Sequence, residues 1–211
     1  MAPETVAAVA DAGATDAQGV RAGQGGGKPV SRTLILGGVR SGKTRLAQRL
    51  ALASGLPVTY VATATAGDPE MARRIAEHQA QRPSGWTLVE EPIALARVLG
   101  AAAGAPGGSG AGPGTCVVVD CLTLWLTNLL LAPGDVLSRE RVALLATLPV
   151  FSGELILVAN ETNSGVIPLG ELSRRFCDEA GALHQDLARL CDRVILTVAG
   201  LPLVLKGAPC D

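Results

Sequence analysis

Residues 33–44 read Thr-Leu-Ile-Leu-Gly-Gly-Val-Arg-Ser-Gly-Lys-Thr, and this stretch decides the fold. Its first four residues form an apolar run typical of a β-strand, and the residues after it continue as an amphipathic helix. Between them, Gly37-x-x-x-x-Gly42-Lys43-Thr44 fits the phosphate-binding loop pattern. Glycine lets the backbone amides of such a loop turn toward a phosphate chain, and the helix N-terminus adds partial positive charge. The sequence therefore predicts a nucleoside triphosphate site.

The phosphate-binding loop pattern predicts different roles for Lys43 and Thr44. Lys43 is expected to act in catalysis by reaching the β- and γ-phosphates, and the Thr44 hydroxyl is expected to ligate Mg²⁺. The alternative is an ordinary glycine-rich turn between a strand and a helix. Such turns rarely carry Gly-Lys-Thr at this spacing after a strand. The predicted nucleotide-contacting residues of the loop are Gly37, Gly38, Val39, Arg40, Ser41, Gly42, Lys43 and Thr44.

Length and composition narrow the class of protein. The 211 residues suit one domain, and a net charge of −1 gives no electrostatic case for nucleic-acid binding. No apolar run reaches the ~18 residues of a transmembrane span. The five cysteines have no C-x-x-C spacing, which favours a reduced, cytoplasmic setting. Residues 1–31 lack hydrophobic periodicity and predict a disordered tail, so residues 32–211 are expected to form a single P-loop nucleotide-binding catalytic domain.

Apolar runs alternate with helical patterns along the rest of the chain. This alternation predicts an α/β protein of the P-loop NTPase type, with a mostly parallel sheet and helices on both faces. Expected strands lie at 33–36, 58–63, 86–90, 116–120, 154–160 and 193–198, with a short edge strand at 203–205. Expected helices follow the loop and lie at 68–82, from Pro92 onward, and at 122–131, 138–148 and 169–191; residues 104–114 are expected to form a flexible surface loop.

Acidic residues close several predicted strands, at the edge where ligands bind in such sheets. Asp120 is the expected second acid of the site and holds Mg²⁺ directly or through water. The alternative is that Asp120 caps the following helix. Glu90 ends one other strand and Glu161 directly follows another, although a single glutamate at a strand end is often only solvated. His184, inside the last long helix, is expected to be a helix-surface residue.

The helix predicted at 68–82 carries an unusual stripe. Arg74, His78 and Arg82 stand at i, i+4 and i+8 and therefore share one face. Two guanidinium groups beside an imidazole suit a nucleophile that faces a polyphosphate. On the pattern alone, a surface histidine between arginines explains the stripe equally well.

Five motifs, in order along residues 33 to 206, resemble one known family. They are Gly37-Gly-Val-Arg-Ser-Gly-Lys-Thr44, Met71-x-x-Arg74-Ile75-x-x-His78-x-x-x-Arg82-Pro83-x-x-Trp86, Val119-Asp120-x-Leu122-Thr123-x-x-x-Thr127-Asn128, Asn160-Glu161 with Gly165-x-x-Pro168, and Gly200-Leu201-Pro202 with Leu205-Lys206. Together they resemble the bifunctional adenosylcobinamide kinase / adenosylcobinamide-phosphate guanylyltransferase of cobalamin biosynthesis.

The resemblance implies two reactions and a corrinoid substrate. A phosphate passes from ATP or GTP to adenosylcobinamide, and GMP then passes from GTP to that phosphate through a GMP–histidine intermediate. By its place in the motif, His78 would carry the GMP. Besides the loop, the resemblance implies nucleotide contacts at Thr63, Ala64, Thr65, Glu90 and Asp120. Arg82, which flanks His78 in the stripe, is also expected to contact the nucleotide, and Thr44 and Asp120 remain the expected metal ligands. A homo-oligomer is also expected.

Three features depart from the family pattern. Asn163 stands where glycine is expected, and asparagine tolerates a left-handed backbone better than most residues. The Gly/Pro-rich loop at 104–114 is an apparent insertion. The segment between Leu131 and Glu154 is short, which leaves a role for its helix in substrate binding open.

Two rival functions remain to be separated from this one. A P-loop small-molecule kinase without a covalent intermediate explains Lys43, Thr44 and Asp120 but gives the stripe around His78 no purpose. A regulatory GTPase should carry D-x-x-G after the metal strand and N-K-x-D after a later one. Here Cys-Leu-Thr follows Asp120 and Glu-Thr-Asn follows Asn160, so both signatures are absent.

Overall fold

A computed structural model describes residues 31–80, 83–102 and 114–209. The strands are β1 (Arg32–Gly37), β2 (Val58–Ala62), β3 (Thr87–Glu90), β4 (Cys116–Asp120), β5 (Glu154–Asn160), β6 (Arg193–Val198) and β7 (Leu201–Lys206). The helices are α1 (Lys43–Ser54), α2 (Pro69–Ala80), α3 (Leu95–Ala102), α4 (Leu122–Leu131), α5 (Val136–Thr147) and α6 (Glu171–Leu190), and a 3₁₀ turn spans Leu148–Val150. Within these described ranges no helix combines the length and the apolar character needed to cross a bilayer.

The seven strands form one sheet in the order β3-β2-β4-β5-β1-β6-β7. All neighbours run parallel except β7, which pairs antiparallel with β6. The first six strands therefore end at a common edge, where Gly37, Ala62, Asp120 and Asn160 close β1, β2, β4 and β5. The predicted mostly parallel α/β sheet is confirmed.

Both faces of the sheet are buried, as near-continuous apolar strands require. One face packs against α3, α4, α5 and α6, with Trp125, Leu144 and Leu187 fully buried in that layer. The opposite face packs against α1 through Leu46 and Leu50. Helices thus cover both faces, as expected, although the two layers are unequal.

The start of α3 differs from the prediction. Pro92 does not begin the helix, which starts at Leu95. The Glu91 carboxylate accepts the amide hydrogens of Ile93 and Ala94 at 3.0 and 2.9 Å, so a capped turn precedes the helix. Burial by itself raises the pKa of Glu91, but these amides and the guanidinium of Arg97 hold that pKa below its usual value.

Smaller differences concern the ends of elements. The expected strand at 203–205 is a six-residue strand, because a tight turn at Ala199 and Gly200, with φ of 52° and 83°, folds it back onto β6. The chain already pairs at Ser31, whose carbonyl accepts the amide of Leu155, one residue inside the expected tail. The rest of that tail, Arg82 and most of the loop at 104–114 lie outside the described residues.

Candidate nucleotide and metal site

The phosphate-binding loop joins the end of β1 to the start of α1. Its backbone curls because Arg40 and Gly42 have positive φ angles of 56° and 99°. Gly42 is the N-cap of α1 and supplies no side-chain cap, so the first amides of the helix have no partner of that kind. A helix N-terminus in this condition is a ready anion site. The loop can therefore hold phosphate oxygens with backbone groups alone.

Gly37 is required where the loop begins. A Cβ at Gly37 would lie 2.5 Å from the Thr197 carbonyl oxygen and 2.6 Å from Ser41 Oγ. Real Cβ atoms do not approach other atoms so closely, so no larger residue fits.

The turn between β6 and β7 supports this loop from behind. Ser41 Oγ and Thr197 Oγ1 are hydrogen-bonded at 2.9 Å, and Thr197 also donates to the Leu36 carbonyl. The amide of Gly200 donates to the Ser41 carbonyl at 2.9 Å. These contacts hold the loop's shape, and no local sequence pattern marks them because the partners stand about 160 positions apart in the chain.

Lys43 lies inside the loop. Its side chain is 7% exposed, and Nζ donates to the Gly38 carbonyl at 2.6 Å and to Ser41 Oγ at 3.5 Å. Burial lowers the pKa of Lys43, and the nearby charge of Asp120 opposes part of that shift. A cationic group is thus held within the loop where phosphate charge would accumulate.

Asp120 joins this loop from β4. Its Oδ2 accepts hydrogen bonds from the Thr44 and Tyr60 hydroxyls, each at 2.9 Å. The N-cap of α4 is Cys121, and that helix has no side-chain cap, so Asp120 does not serve the capping role considered above. Tyr60 was not identified from the sequence because it stands inside an apolar strand without a pattern to mark it.

This donor set fits Mg²⁺ in one respect. A carboxylate and a hydroxyl oxygen lie side by side, and Mg²⁺ prefers oxygen ligands of which proteins supply only one or two beside phosphates. Across the described ranges, no three His, Cys, Asp or Glu side chains cluster as a metal site would require. Asp120 and Thr44 therefore offer oxygen donors of the kind that Mg²⁺ binds.

The segment after β2 is anchored to α4. Thr63 is fully buried, and its hydroxyl donates to the Cys121 carbonyl at 2.7 Å and accepts the Cys121 amide at 3.0 Å. Asn128 donates to the Thr63 carbonyl at 2.8 Å, and its Oδ1 lies 3.5 Å from Thr65 Oγ1. Three residues are expected to contact nucleotide here. The hydroxyl of Thr63 is already hydrogen-bonded to the Cys121 backbone, whereas Ala64 is half-buried and Thr65 is exposed.

Two other expected site residues lie on other elements than the loop. His78 stands on α2, nine residues after Pro69. Glu90 ends β3, one of the two edge strands of the sheet, which is four strand spacings or about 19 Å from β1. The structure thus unites the loop with Asp120 and does not bring Glu90 to it.

The residues after β5 correct two expectations. His184 is not a helix-surface residue: its side chain is 11% exposed, its Nδ1 lies 3.8 Å from Glu161 Oε2, and burial lowers its pKa while Glu161 opposes the shift. Asn163 does not use the left-handed backbone, since among the described non-glycine residues only Arg40 and Ala199 have positive φ. The side-chain Nδ2 of Asn163 instead donates to the Cys177 carbonyl of α6 at 3.2 Å.

Comparisons with known proteins agree with this geometry. Residues 33–205 match the model of the cobinamide kinase / cobinamide phosphate guanyltransferase family. The chain is 60% identical over 179 residues to the bifunctional adenosylcobalamin biosynthesis protein CobP of Pseudomonas aeruginosa, covering 84% of this chain and 99% of that protein. It is 32% identical over 187 residues to the bifunctional adenosylcobalamin biosynthesis protein CobU of Escherichia coli, covering 82% of this chain and 98% of that protein.

Proposed function

Because this chain belongs to the cobinamide kinase / cobinamide phosphate guanyltransferase family, we propose that it catalyses both reactions on adenosylcobinamide at the site described above. ATP or GTP phosphorylates the aminopropanol hydroxyl, and GMP from GTP is then transferred to that phosphate, giving adenosylcobinamide-GDP and pyrophosphate. One observation carries the proposal: Lys43 is held inside the loop while Thr44 and Asp120 meet at 2.9 Å beside it.

In the kinase step the substrate hydroxyl oxygen attacks the γ-phosphorus, the bond from that phosphorus to the bridging oxygen breaks, and the hydroxyl loses its proton. Backbone amides of the loop and the N-terminus of α1 hold the phosphates in line. The Lys43 ammonium stabilises the charge that develops on the transferred group. Thr44 and Asp120 would hold Mg²⁺, which would supply further positive charge to offset that of the phosphates.

In the transfer step His78 is the proposed nucleophile. A neutral imidazole nitrogen attacks the α-phosphorus of GTP, and pyrophosphate leaves. An oxygen of the cobinamide phosphate then attacks the same phosphorus, and the P–N bond breaks to restore the imidazole. Arg82, one helical turn after His78 in the sequence pattern, is proposed to balance the charge of the leaving pyrophosphate.

The remaining site residues stay proposals as well. Thr63, Ala64 and Thr65 follow β2 at the ligand-bearing edge, which supports a contact with nucleotide in the transfer step. Glu90 would contact nucleotide only in a position away from the phosphate-binding loop. A reducing, cytoplasmic setting is proposed on the free thiols of Cys116, Cys121, Cys177 and Cys191.

Product analysis tests the proposed function directly. Adenosylcobinamide with ATP alone should give its phosphate, and later addition of GTP should give adenosylcobinamide-GDP with one pyrophosphate per transfer, both measured by mass spectrometry and a pyrophosphate assay. Phosphorylated corrinoid that accumulates in GTP without pyrophosphate would support the kinase without a covalent intermediate. Failure to phosphorylate adenosylcobinamide with either nucleotide would overturn the proposal.

We propose further that copies of the chain associate with one another. β7, the edge strand at the opposite end of the sheet from β3, presents Leu201, Leu203 and Leu205, each more than half exposed, beside exposed Val198. An apolar edge strand of this kind favours pairing with another surface. Light scattering coupled to size exclusion should give a mass that is a multiple of the chain's own, and a monomer at micromolar concentration would contradict this.

A further inference from the structure

The connection from β2 to α2 is fixed at its root by one side chain of α4. Asn128 Nδ2 donates to the Thr63 carbonyl at 2.8 Å and to the Pro92 carbonyl at 3.1 Å. Both partners are carbonyl oxygens, so the amide nitrogen must face them and only a donor can satisfy the pair. Asn128 thereby ties the ends of two neighbouring strands, β2 and β3, to one helix.

The same root is joined to the phosphate site. The Thr63 hydroxyl and the Cys121 backbone exchange two hydrogen bonds at 2.7 and 3.0 Å, and the amide of Thr63 lies 3.4 Å from the Asp120 carbonyl. Since Cys121 follows Asp120 directly, the direction in which the chain leaves β2 is set relative to the acid of the site. Thr63 is fully buried, which leaves these bonds little competition from water.

Beyond the root, α2 buries little of the surface that the structure describes. Of the α2 side chains that the structure describes, only Ile75 is half-buried and the rest are exposed. Five residues, 64–68, link Thr63 to α2, and His78 stands nine residues along that helix, about 14 Å from its start. A change of 10° in the direction of α2 would therefore move residue 78 by about 2 Å, because the displacement grows with distance along the helix.

We propose that Asn128 is a positioning residue for guanylyl transfer: by fixing the root at Thr63 it sets where α2 delivers His78 relative to the phosphate-binding loop. The inference rests on the proposed role of His78. Asn128 contacts neither the loop nor Asp120 in any described hydrogen bond, so the kinase step does not depend on it in the same way.

Two variants separate these steps. Asn128→Asp keeps the shape but places acceptors against the two carbonyls, and Asn128→Leu removes the donor. In both, the rate of covalent labelling by α-labelled GTP should fall by about 10- to 100-fold, because misplacement of about 1 Å has effects of this size. The kinase turnover should stay within about threefold of wild type, since the reacting groups of that step are untouched.

Trp125→Phe is the matched control. Trp125 lies on the same helix, and its indole Nε1 donates to the neighbouring Ile93 carbonyl at 2.7 Å without reaching Thr63. The Trp125→Phe variant should lower the melting temperature at least as much as the Asn128 variants do. The ratio of His78 labelling to kinase turnover should nevertheless equal that of the wild-type chain.

The outcomes are distinct. Equal loss of labelling and kinase activity in the Asn128 variants, or loss of neither, would overturn the inference. Absence of label in the wild-type chain would instead contradict the proposed function.

Hydrogen exchange on the wild-type chain tests the same root without a variant. The Cys121 and Thr63 amides should exchange at least ~100-fold more slowly than those of residues 64–68. Equal rates would show that the root is not fixed and would also overturn the inference.

Discussion

Lys43 shows how a single residue is held in a costly state for function. The loop buries its ammonium group, and burial lowers the pKa of Lys43, so the charged form is stabilised less in the fold than in water. Hydrogen bonds to Gly38 and Ser41 offset part of this cost. A residue chosen for stability alone would not be charged at this position.

Lys43→Ala should therefore abolish phosphorylation of adenosylcobinamide, with a loss of at least ~100-fold in turnover, because it removes the cation at the transferring phosphate. Its melting temperature should stay close to that of wild type. Arg49→Ala is the control, since Arg49 is an exposed basic residue of the same helix. Phosphorylation within a few-fold of wild type in a folded Lys43→Ala protein would disprove the assigned role.

Among the individual residues of the site, only those that a local sequence pattern marks could be predicted. Gly37 to Thr44 follow a spacing that phosphate chemistry requires, and Asp120 closes an apolar strand. Tyr60 and Thr197 also build the site, but each is defined by a partner far along the chain. Their contribution follows from strand order, which no local spacing contains.

At the scale of elements, the C-terminus of α6 depends on the last strand. Lys206 Nζ donates to the carbonyl oxygens of Ala188, Arg189 and Cys191 at 2.9, 3.2 and 2.6 Å. A cation at the C-terminal end of a helix satisfies orphan carbonyls and complements the helix dipole. The lysine that ends the fifth motif thus joins β7 to α6.

Lys206→Met should lower the free energy of unfolding by about 1 kcal/mol, because three carbonyls lose their charged partner while the apolar stem is kept. Urea denaturation followed by circular dichroism measures this. Arg175→Met, at an exposed position of the same helix, should change it little. A Lys206→Met protein as stable as wild type would show that water replaces the lysine without cost.

The element boundaries show where periodicity suffices. The strands at 116–120, 154–160 and 193–198 and the helix at 122–131 have the predicted bounds, because uninterrupted apolar runs define them. The predicted start of α3 was wrong. The Glu91 side chain accepts the amide hydrogens of Ile93 and Ala94, so the residues after Pro92 form a capped turn before the helix begins. A side-chain cap of this kind competes with the helix for the same amides.

At the scale of the whole molecule, the order of the strands in the sheet could not be predicted from the sequence pattern. Parallel alternation predicted the sheet and its ligand-bearing edge, but not that β5 and β6 flank β1 or that β3 is outermost. That order explains why Asp120 reaches the loop and Glu90 does not.

Acid should destabilise the whole molecule. Burial by itself raises the pKa of Asp192, but hydrogen bonds from the guanidinium and the backbone amide of Arg32 lower this pKa overall. The hydrogen bond from Arg141 lowers the pKa of Asp186. A carboxyl with a lowered pKa in the fold stabilises above its unfolded pKa, and this stability is lost as pH falls through the folded value. Below pH ~4 these two groups and Glu91 all act in the same direction.

His184 extends the effect to milder acid. Burial lowers its pKa, so below the ordinary value of 6.5 the unfolded chain takes up a proton that the folded chain resists. The urea midpoint should fall between pH 7.5 and 5.5 in wild type and fall less in His184→Gln. A midpoint that rises on acidification in wild type would contradict these signs.

Covalent labelling by α-labelled GTP is the measurement that tests the central claim most directly. The wild-type chain should retain label after denaturation, in an adduct that is labile to acid and stable to alkali, as a phosphoramidate is. His78→Ala should retain none while it still phosphorylates adenosylcobinamide. His184→Gln, which changes the other of the two histidines, should label like wild type. Retained label and normal GMP transfer in His78→Ala would contradict the account, because the nucleophile would then be another residue or the transfer would be direct.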